Sequence, residues 1–200
     1  MKKQLLALAV LALAAGTASA QANDTLVKIK SSGTVNLGVR DSSGLAFTIG
    51  GGKYVGFHTE MAEHIVEDLK KVTGNPNLKI NYQVITSQNR IPLLQNGTID
   101  FECGSTTNNA GRQKDAAFAV TTFVDEVRTA VKANSGIKSV ADLNGKTVVT
   151  TTGTTSVQHL RRHERGANID FQTVQGKDHA DSLLLLESGR ADAFVMDGSI

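Results

Sequence analysis

The spacing of apolar residues along the chain predicts alternating strands and helices. Apolar and polar positions alternate over 35–39 and over 78–84, which indicates two strands. Between them, from Thr59 onward, apolar residues recur every three or four positions, as in an amphipathic helix that ends at Gly74. The predicted buried stripe of this helix consists of Met61, Ile65, Val66, Leu69 and Val72. The segment 41–56 is rich in Ser and Gly and predicts a loop or hairpin.

A second helix and a third strand complete the first α/β pattern. The helix is predicted over 87–95, with Ser87 as its N-cap and Gly97 as its stop signal. The strand is predicted over 98–101. Strands and helices that alternate at this spacing favour parallel βαβ units.

The same order of elements returns in the second half of the chain. The predicted elements there are a short helix over 140–143, a strand over 147–150, a helix from 153–156 to near Gly166, a strand over 169–174, a helix over 181–189 and a strand over 193–196. Helical patterning lapses over 122–128, which predicts the connection between two lobes. The expected fold is therefore α/β with two lobes, each a mostly parallel sheet flanked by helices.

The N-terminus has the three-part pattern of a secretory signal peptide. Lys2 and Lys3 are followed by the uncharged apolar run 5–15 and by the small residues 18–20. The apolar run is shorter than the roughly 20 residues that span a bilayer. Residues 1–20 are therefore predicted to be a cleaved leader that directs the chain out of the cytoplasm.

Removal of this leader changes the charge balance. The whole chain has 21 Lys and Arg against 19 Asp and Glu, and both Lys2 and Lys3 lie in the leader. The remaining chain is formally neutral and contains no basic run, so its charge offers no footprint for nucleic acid. The single cysteine, Cys103, is open to two interpretations: a free or partnerless thiol of an exported protein, or a small buried hydrophobe.

Polar clusters follow four of the predicted strands. In open α/β sheets, ligands bind beyond the carboxyl ends of the strands. The clusters are Arg40, the set Ser87, Asn89 and Arg90, the segment 104–109 and the turn 153–156. With Arg112, three arginines lie near this edge, and a guanidinium group can hold a carboxylate by two parallel hydrogen bonds. Together with the hydroxyls of the turns and the helix starts, they predict a ligand with more than one carboxylate.

Other chemistries find little support in the sequence. The turn 153–156 lacks the lysine and the glycine spacing of a phosphate-binding loop. His159 and His163 are four positions apart, but no acid or cysteine completes a metal site. No Gly-x-Ser-x-Gly nucleophile motif occurs. No cofactor and no metal are therefore expected.

Several long motifs resemble those of the periplasmic glutamate/aspartate-binding proteins of ABC importers. These proteins belong to family 3 of the solute-binding proteins. The motifs are Ile85 to Gly97, Asp100 to Asn109 with Arg112 to Lys114, Gly153 to Ser156, Lys177 to His179 and Glu187 to Ala191. The similarity extends from about residue 33 to residue 200. It implies the type II periplasmic-binding-protein fold, in which two lobes close on one amino acid.

The resemblance also implies roles for nine residues, five of them around the amino-acid end of the ligand. Arg112 corresponds to the clamp for the α-carboxylate, assisted by Thr107 and Thr155. Asp197 corresponds to the acid that pairs with the α-ammonium group, with Ser105 beside it.

The other four residues correspond to the subsite for the side-chain carboxylate. They are Arg40, Ser87, Arg90 and His179. Such a pocket should reject glutamine and asparagine, because their amide donors would face buried donors.

The implied function is periplasmic binding of glutamate and/or aspartate by a monomer, and its delivery to the membrane permease of an ABC importer. The expected organisation is a leader at 1–20, a first lobe at 21–125 and a second lobe at 126–200, which is expected to be incomplete because relatives continue further. An alternative on the same fold is an enzyme similar to cyclohexadienyl dehydratase. That enzyme needs an acid/base carboxylate in the cleft, and Glu102, the acid within the best motif, is expected to be structural.

Overall fold

The computed structural model describes residues 24–41 and 43–200. The predicted leader at residues 1–20 lies outside the described residues. The helices are α1 Thr25–Ser32, α2 Phe57–Thr73, α3 Arg90–Gln95, α4 Ser156–Ala167 and α5 His179–Glu187, with short 3-10 helices at Arg112–Lys114 and Val140–Leu143. The strands are β1 Thr34–Val39, β2 Phe47–Gly50, β3 Lys53–Val55, β4 Lys79–Val84, β5 Phe101–Glu102, β6 Val127–Val131, β7 Thr147–Thr151, β8 Gln172–Gly176 and β9 Ala193–Asp197.

The first sheet has the order β4-β1-β5, and its strands are parallel. Residues 34–39 pair in register with residues 79–84, and α2 crosses between these two strands. β2 and β3 form a separate antiparallel hairpin within the predicted loop or hairpin segment. The predicted parallel βαβ arrangement is confirmed in this part of the chain.

The second sheet has the order β6-β9-β7-β8. β7 is parallel to both β8 and β9, whereas β6 runs antiparallel to β9 at the edge. The sequence did not predict β6, whose residues begin within the segment assigned to the connection. Its side chains are half-buried or exposed, so they carry little of the apolar signal that marks a central strand.

Separate apolar clusters lie against the two sheets. In the first, Ile29, Val35, Val66 and Leu78 join α1, α2 and the β1–β4 pair. In the second, Leu143, Val148, Leu160, Phe171, Ala193 and Val195 pack together, and a further group around Val149 and Phe194 covers the opposite face. Burial on both faces of the second sheet accounts for the continuous apolar run 193–196 of its central strand β9.

The predicted buried stripe of α2 is partly wrong. Val66 is buried and Leu69 packs against the core, but Ile65 is 38% exposed and Val72 is 68% exposed. Ala62 is buried against β1 instead. The small Ala62 side chain lets the helix approach the sheet closely, and a residue of this size contributes little to the hydrophobic pattern.

The predicted boundaries of the third strand and the second helix are also corrected. β5 comprises two residues rather than 98–101, because the Asp100 carboxylate accepts the N–H of Asn36 at 2.7 Å and so occupies that position of the ladder. α3 begins at Arg90 rather than at 87, and its N-cap is Asn89. The Ser87 hydroxyl is therefore not a helix cap, and it accepts a hydrogen bond from Arg40 at 3.0 Å instead.

Two elements of the second half are displaced from their predicted positions by a few residues. α5 begins at His179 because the Asp178 side chain caps it, accepting from the N–H of Asp181 at 2.8 Å. β8 covers 172–176 rather than 169–174, since the N–H of Asp170 donates to the side chain of Asn144 at 2.9 Å. Within residues 24–41 and 43–200, none of the helices is both long and apolar enough to traverse a bilayer.

Candidate functional site

The carboxyl ends of the parallel strands bring the predicted arginines together. Arg40 directly follows β1, Arg90 begins the helix after β4, and Arg112 follows β5. From the second sheet, Thr155 lies after β7, and His179 begins the helix after β8. Contacts between these two groups of residues join the edges of the two sheets, as the strand-end rule predicts.

Arg40 is a buried cation that holds two neutral partners. Its side chain is 2% exposed, and its Nη2 donates to the Ser87 hydroxyl at 3.0 Å and to Nε2 of His179 at 2.7 Å. Burial lowers the pKa of the Arg40 guanidinium, and the Glu102 carboxylate partly offsets this effect. Arg40 nonetheless remains charged at neutral pH, because an arginine does not lose its proton in a protein.

Arg90 is equally buried, at 3% exposure, and it is surrounded by charges. The pKa of Arg90 is lowered to about 10, chiefly by burial; Glu102 acts in the opposite direction, and the neighbouring guanidinium groups of Arg112 and Arg40 contribute to the lowering. Arg90 therefore lies within electrostatic range of both Arg40 and Arg112. Like charges gathered in a buried site favour an anionic occupant.

Arg112 connects the two sheets through backbone oxygens. Its Nη1 donates to the carbonyl oxygen of Thr107 at 3.0 Å, and its Nη2 donates to the carbonyl oxygen of Gly153 at 2.9 Å. The hydroxyl oxygens of Thr107 and Thr155 lie 3.4 Å apart, close to the limit for a hydrogen bond. These three predicted residues therefore form one group.

The turn after β7 approaches the segment after β4 very closely. At Gly153, whose φ is +80°, an added Cβ would lie 2.6 Å from the carbonyl oxygen of Ser87 and 2.7 Å from backbone atoms of Gln88. Real side chains do not tolerate such distances, so this contact requires glycine. The position of the turn determines how closely the hydroxyl of Thr155 can approach the first sheet.

Glu102 also belongs to the cluster, and the sequence analysis did not include it among the site residues. The Thr106 hydroxyl donates to its Oε1. Burial raises the pKa of the Glu102 carboxyl, and Arg90, Arg40 and Arg112, in that order, act to lower it. Its position two residues before the polar segment 104–109 was a usable signal, because the last residue of a strand lies at the same sheet edge as the residues that follow it.

Asp197 lies at the end of β9, within range of the same cations. Burial and then the Asp125 carboxylate raise the pKa of Asp197, whereas Arg90 and Arg112 are among the groups that lower it. Ser105 is half-buried in the segment after β5. The structure thus gathers most of the predicted site residues.

Several buried polar atoms of the cluster have no hydrogen-bond partner within the described part of the chain. They are Nη1 of Arg40, Nε and Nη1 of Arg90, and Oε2 of Glu102. A buried polar group left unpaired costs about 1–3 kcal/mol. The cluster therefore has guanidinium donors that a carboxylate could satisfy, and its two acidic side chains leave a surplus of positive charge. Over the same described residues, no group of three His, Cys, Asp or Glu side chains is arranged to hold a metal ion.

Comparison with known proteins places the chain in one family of solute-binding proteins. The family described as "Bacterial extracellular solute-binding proteins, family 3" matches residues 35–180. The "Glutamate/aspartate import solute-binding protein" of Escherichia coli K12 is 45% identical over 206 residues, covering 100% of this chain and 68% of the relative. The "L-glutamate/L-aspartate-binding protein" of Pseudomonas aeruginosa is 44% identical over 201 residues, covering 98% of this chain and 66% of the relative.

A solved structure, that of the cysteine-binding protein from Campylobacter jejuni, superposes with a TM-score of 0.75 at 25% identity, covering 86% of this chain and 67% of that one. The fold is that of the type II periplasmic binding proteins, as predicted. The chain belongs to the bacterial extracellular solute-binding proteins, family 3. It spans about two thirds of the length of the curated relatives it matches.

Proposed function

We propose that this chain binds L-glutamate and/or L-aspartate between two lobes, at 21–125 and 126–200, and delivers it to the permease of an ABC importer. The observation that carries the proposal is the cluster of Arg40, Arg90 and Arg112, in which buried N–H groups of Arg40 and Arg90 have no partner among the described residues. The names of the most similar relatives, which refer to the same two amino acids, support it.

In this proposal, one group of residues binds the amino-acid end of the ligand. Arg112 donates to the α-carboxylate, and the hydroxyls of Thr107 and Thr155, 3.4 Å apart, add donors. The Asp197 carboxylate accepts from the α-ammonium group, with Ser105 beside it. The raised pKa of Asp197 reflects the cost of its burial, which a bound cation would offset.

A second group binds the side-chain carboxylate of the ligand. Arg40 and Arg90 supply the unpaired guanidinium N–H groups, and Ser87 and His179 hold Arg40 in place. A carboxylate satisfies these donors, whereas an amide presents N–H groups of its own to them. Discrimination of this kind, which leaves buried donors unpaired, can reach a factor of about 10⁴.

The proposed location is the periplasm. It rests on the three-part pattern of residues 1–20 and on the extracellular family to which the chain belongs. We expect the mature chain to act as a monomer that closes around its ligand by a hinge motion.

Calorimetric titration of the mature chain with L-glutamate, L-aspartate and L-glutamine tests this function. We expect binding of at least one acid and no detectable binding of glutamine. Arg90→Met should abolish binding, whereas Arg165→Met, which replaces an exposed arginine of α4, should leave it unchanged. Equal binding of glutamine and glutamate would refute the two-carboxylate site.

The same sample distinguishes binding from the enzymatic alternative. The buried Glu102 carboxyl near the arginines is the group that could serve as an acid or base there. After incubation, the ligand is released by denaturing the protein and identified by mass spectrometry. We expect it to be recovered unchanged, and a product of elimination would favour the dehydratase-like enzyme.

A further inference from the structure

A chain of buried hydrogen bonds leads from Arg40 through His179 into the second sheet. Nη2 of Arg40 lies 2.7 Å from Nε2 of His179, and Nδ1 of His179 lies 3.1 Å from the Thr151 hydroxyl. The Thr151 hydroxyl lies 2.9 Å from that of Ser182, which lies 2.9 Å from the carbonyl oxygen of Asp178. The four side chains that form these hydrogen bonds are almost completely buried, so water does not compete for the bonds.

The direction of every bond in this chain is determined by its two ends. Arg40 can only donate, so Nε2 of His179 must be the acceptor and must carry no proton. The proton of the neutral ring then lies on Nδ1 and is donated to Thr151. Ser182 has a single hydroxyl proton, which it donates to the carbonyl oxygen of Asp178, so Thr151 is the donor in the bond between the two hydroxyls. At the far end, the carbonyl oxygen of Asp178 can only accept, which completes the same direction.

The charge state of His179 is consistent with this direction. Burial lowers its pKa to about 3, and the nearby cations of Arg40 and Arg90 contribute to the shift. The ring is therefore neutral at physiological pH, and the choice that remains is between its two tautomers. In the other tautomer, an Nε2–H group would point at the N–H groups of Arg40.

The backbone holds the two hydroxyls in place. Thr151 is the last residue of β7, and Ser182 lies in the first half of α5. Gly176, at the end of β8, packs so tightly that an added Cβ would come within 2.2 Å of the Ser182 hydroxyl oxygen. Ser182 therefore has little room to turn away from Thr151.

We propose that Thr151 and Ser182 are positioning residues that hold His179 in its Nδ1–H tautomer. With Nη2 of Arg40 occupied by His179 and Ser87, the unpaired Nη1 remains available for the side-chain carboxylate of a ligand. This last step rests on the proposed function. The tautomer itself is a property of the protein without ligand, so it can be tested independently.

The first experiment is nitrogen-15 NMR of the ligand-free mature chain with labelled histidine at neutral pH. The signals of His179 are identified by their loss in His179→Gln. We expect the protonated nitrogen to be Nδ1 in the wild type and in Thr151→Ser, which keeps the hydroxyl. Thr151→Val keeps the shape and removes the acceptor of the Nδ1–H group. The Nδ1–H tautomer then loses its advantage over a ring that turns away from Arg40, so we expect a mixture of tautomers. A wild-type ring protonated at Nε2 overturns the proposal and requires no variant.

The second experiment is calorimetric titration of the same proteins with L-glutamate and L-aspartate. Loss of one positioning hydrogen bond at a buried site should weaken binding by Thr151→Val roughly tenfold to a hundredfold, with Thr151→Ser close to the wild type. Ser182→Ala should shift the tautomer in the same direction. If Thr151→Val lowers the melting temperature but leaves both the tautomer and the affinity unchanged, the residue is only structural and the proposal fails. If the wild type shows the Nδ1–H tautomer but binds neither acid, the proposed function fails and the tautomer assignment stands.

Discussion

The buried neutral ring of His179 should make the fold sensitive to mild acid. The unfolded chain takes up a proton on this histidine near pH 6.5, whereas the folded protein does so only at about pH 3. Stability is therefore lost as the pH falls below 6.5, and the loss continues toward pH 3. Each pH unit in this interval corresponds to 1.36 kcal/mol. Between pH 7 and pH 5, His179 should remove about 2 kcal/mol of unfolding free energy, and this figure barely changes if the folded pKa is a unit higher.

Urea unfolding of the ligand-free mature chain at pH 7 and pH 5 measures this loss. The matched variant is His179→Gln, whose side-chain oxygen can accept from Arg40 in place of Nε2 and does not titrate. His58, whose pKa is also lowered by burial, contributes equally to both proteins and cancels in the comparison. The carboxyl groups with lowered pKa values, such as Asp125 and Asp142, titrate below this pH interval. The wild type should lose about 2 kcal/mol more than the variant.

An equal loss of stability in the two proteins would refute the reasoning. It would mean that His179 titrates alike in the folded and unfolded states, so that it is neither buried nor held beside Arg40. A larger loss in the variant would have the same meaning. A change in the urea dependence itself would indicate that the transition is not two-state, and the comparison would then rest on the midpoints alone.

Three further predictions follow from the cluster. Arg112→Lys keeps the charge but loses the two-point geometry, so titration calorimetry should show roughly tenfold weaker binding of acidic amino acids, with the exposed Arg165→Lys as control. Because burial raises the pKa of Glu102, its own contribution to stability falls as the pH rises above 4.5, opposite in sign to the contribution of His179. In urea unfolding, Glu102→Gln should therefore lose more stability than the wild type between pH 7 and pH 5, and an equal loss would contradict this prediction. Gly153→Ala should weaken binding at least tenfold, by roughly 1.4 kcal/mol or more, whereas Gly136→Ala, at a similar positive φ with open space around it, should leave affinity unchanged.

The positions of the strands were largely predictable because a strand buried on one or both faces leaves its pattern in the local sequence. β1, β4, β7 and β9 lie within one residue of their predicted bounds. The prediction failed where a long-range contact overrides local preference. The carboxylate of Asp100 replaces part of the strand expected at 98–101, and Ala62 rather than Ile65 faces the core from α2.

The sequence by itself identified the arginines and hydroxyls that follow the strands, because chain direction and the strand-end rule bring such residues to one edge. It did not reveal that Glu102 is buried among those arginines, nor that His179 holds Arg40 while Thr151 and Ser182 hold His179. Arg40 and His179 are 139 positions apart, and their contact depends on how the two sheets meet. Tautomers, pKa shifts and unpaired donors depend on such tertiary contacts, since burial and neighbouring charge exist only once the chain has folded.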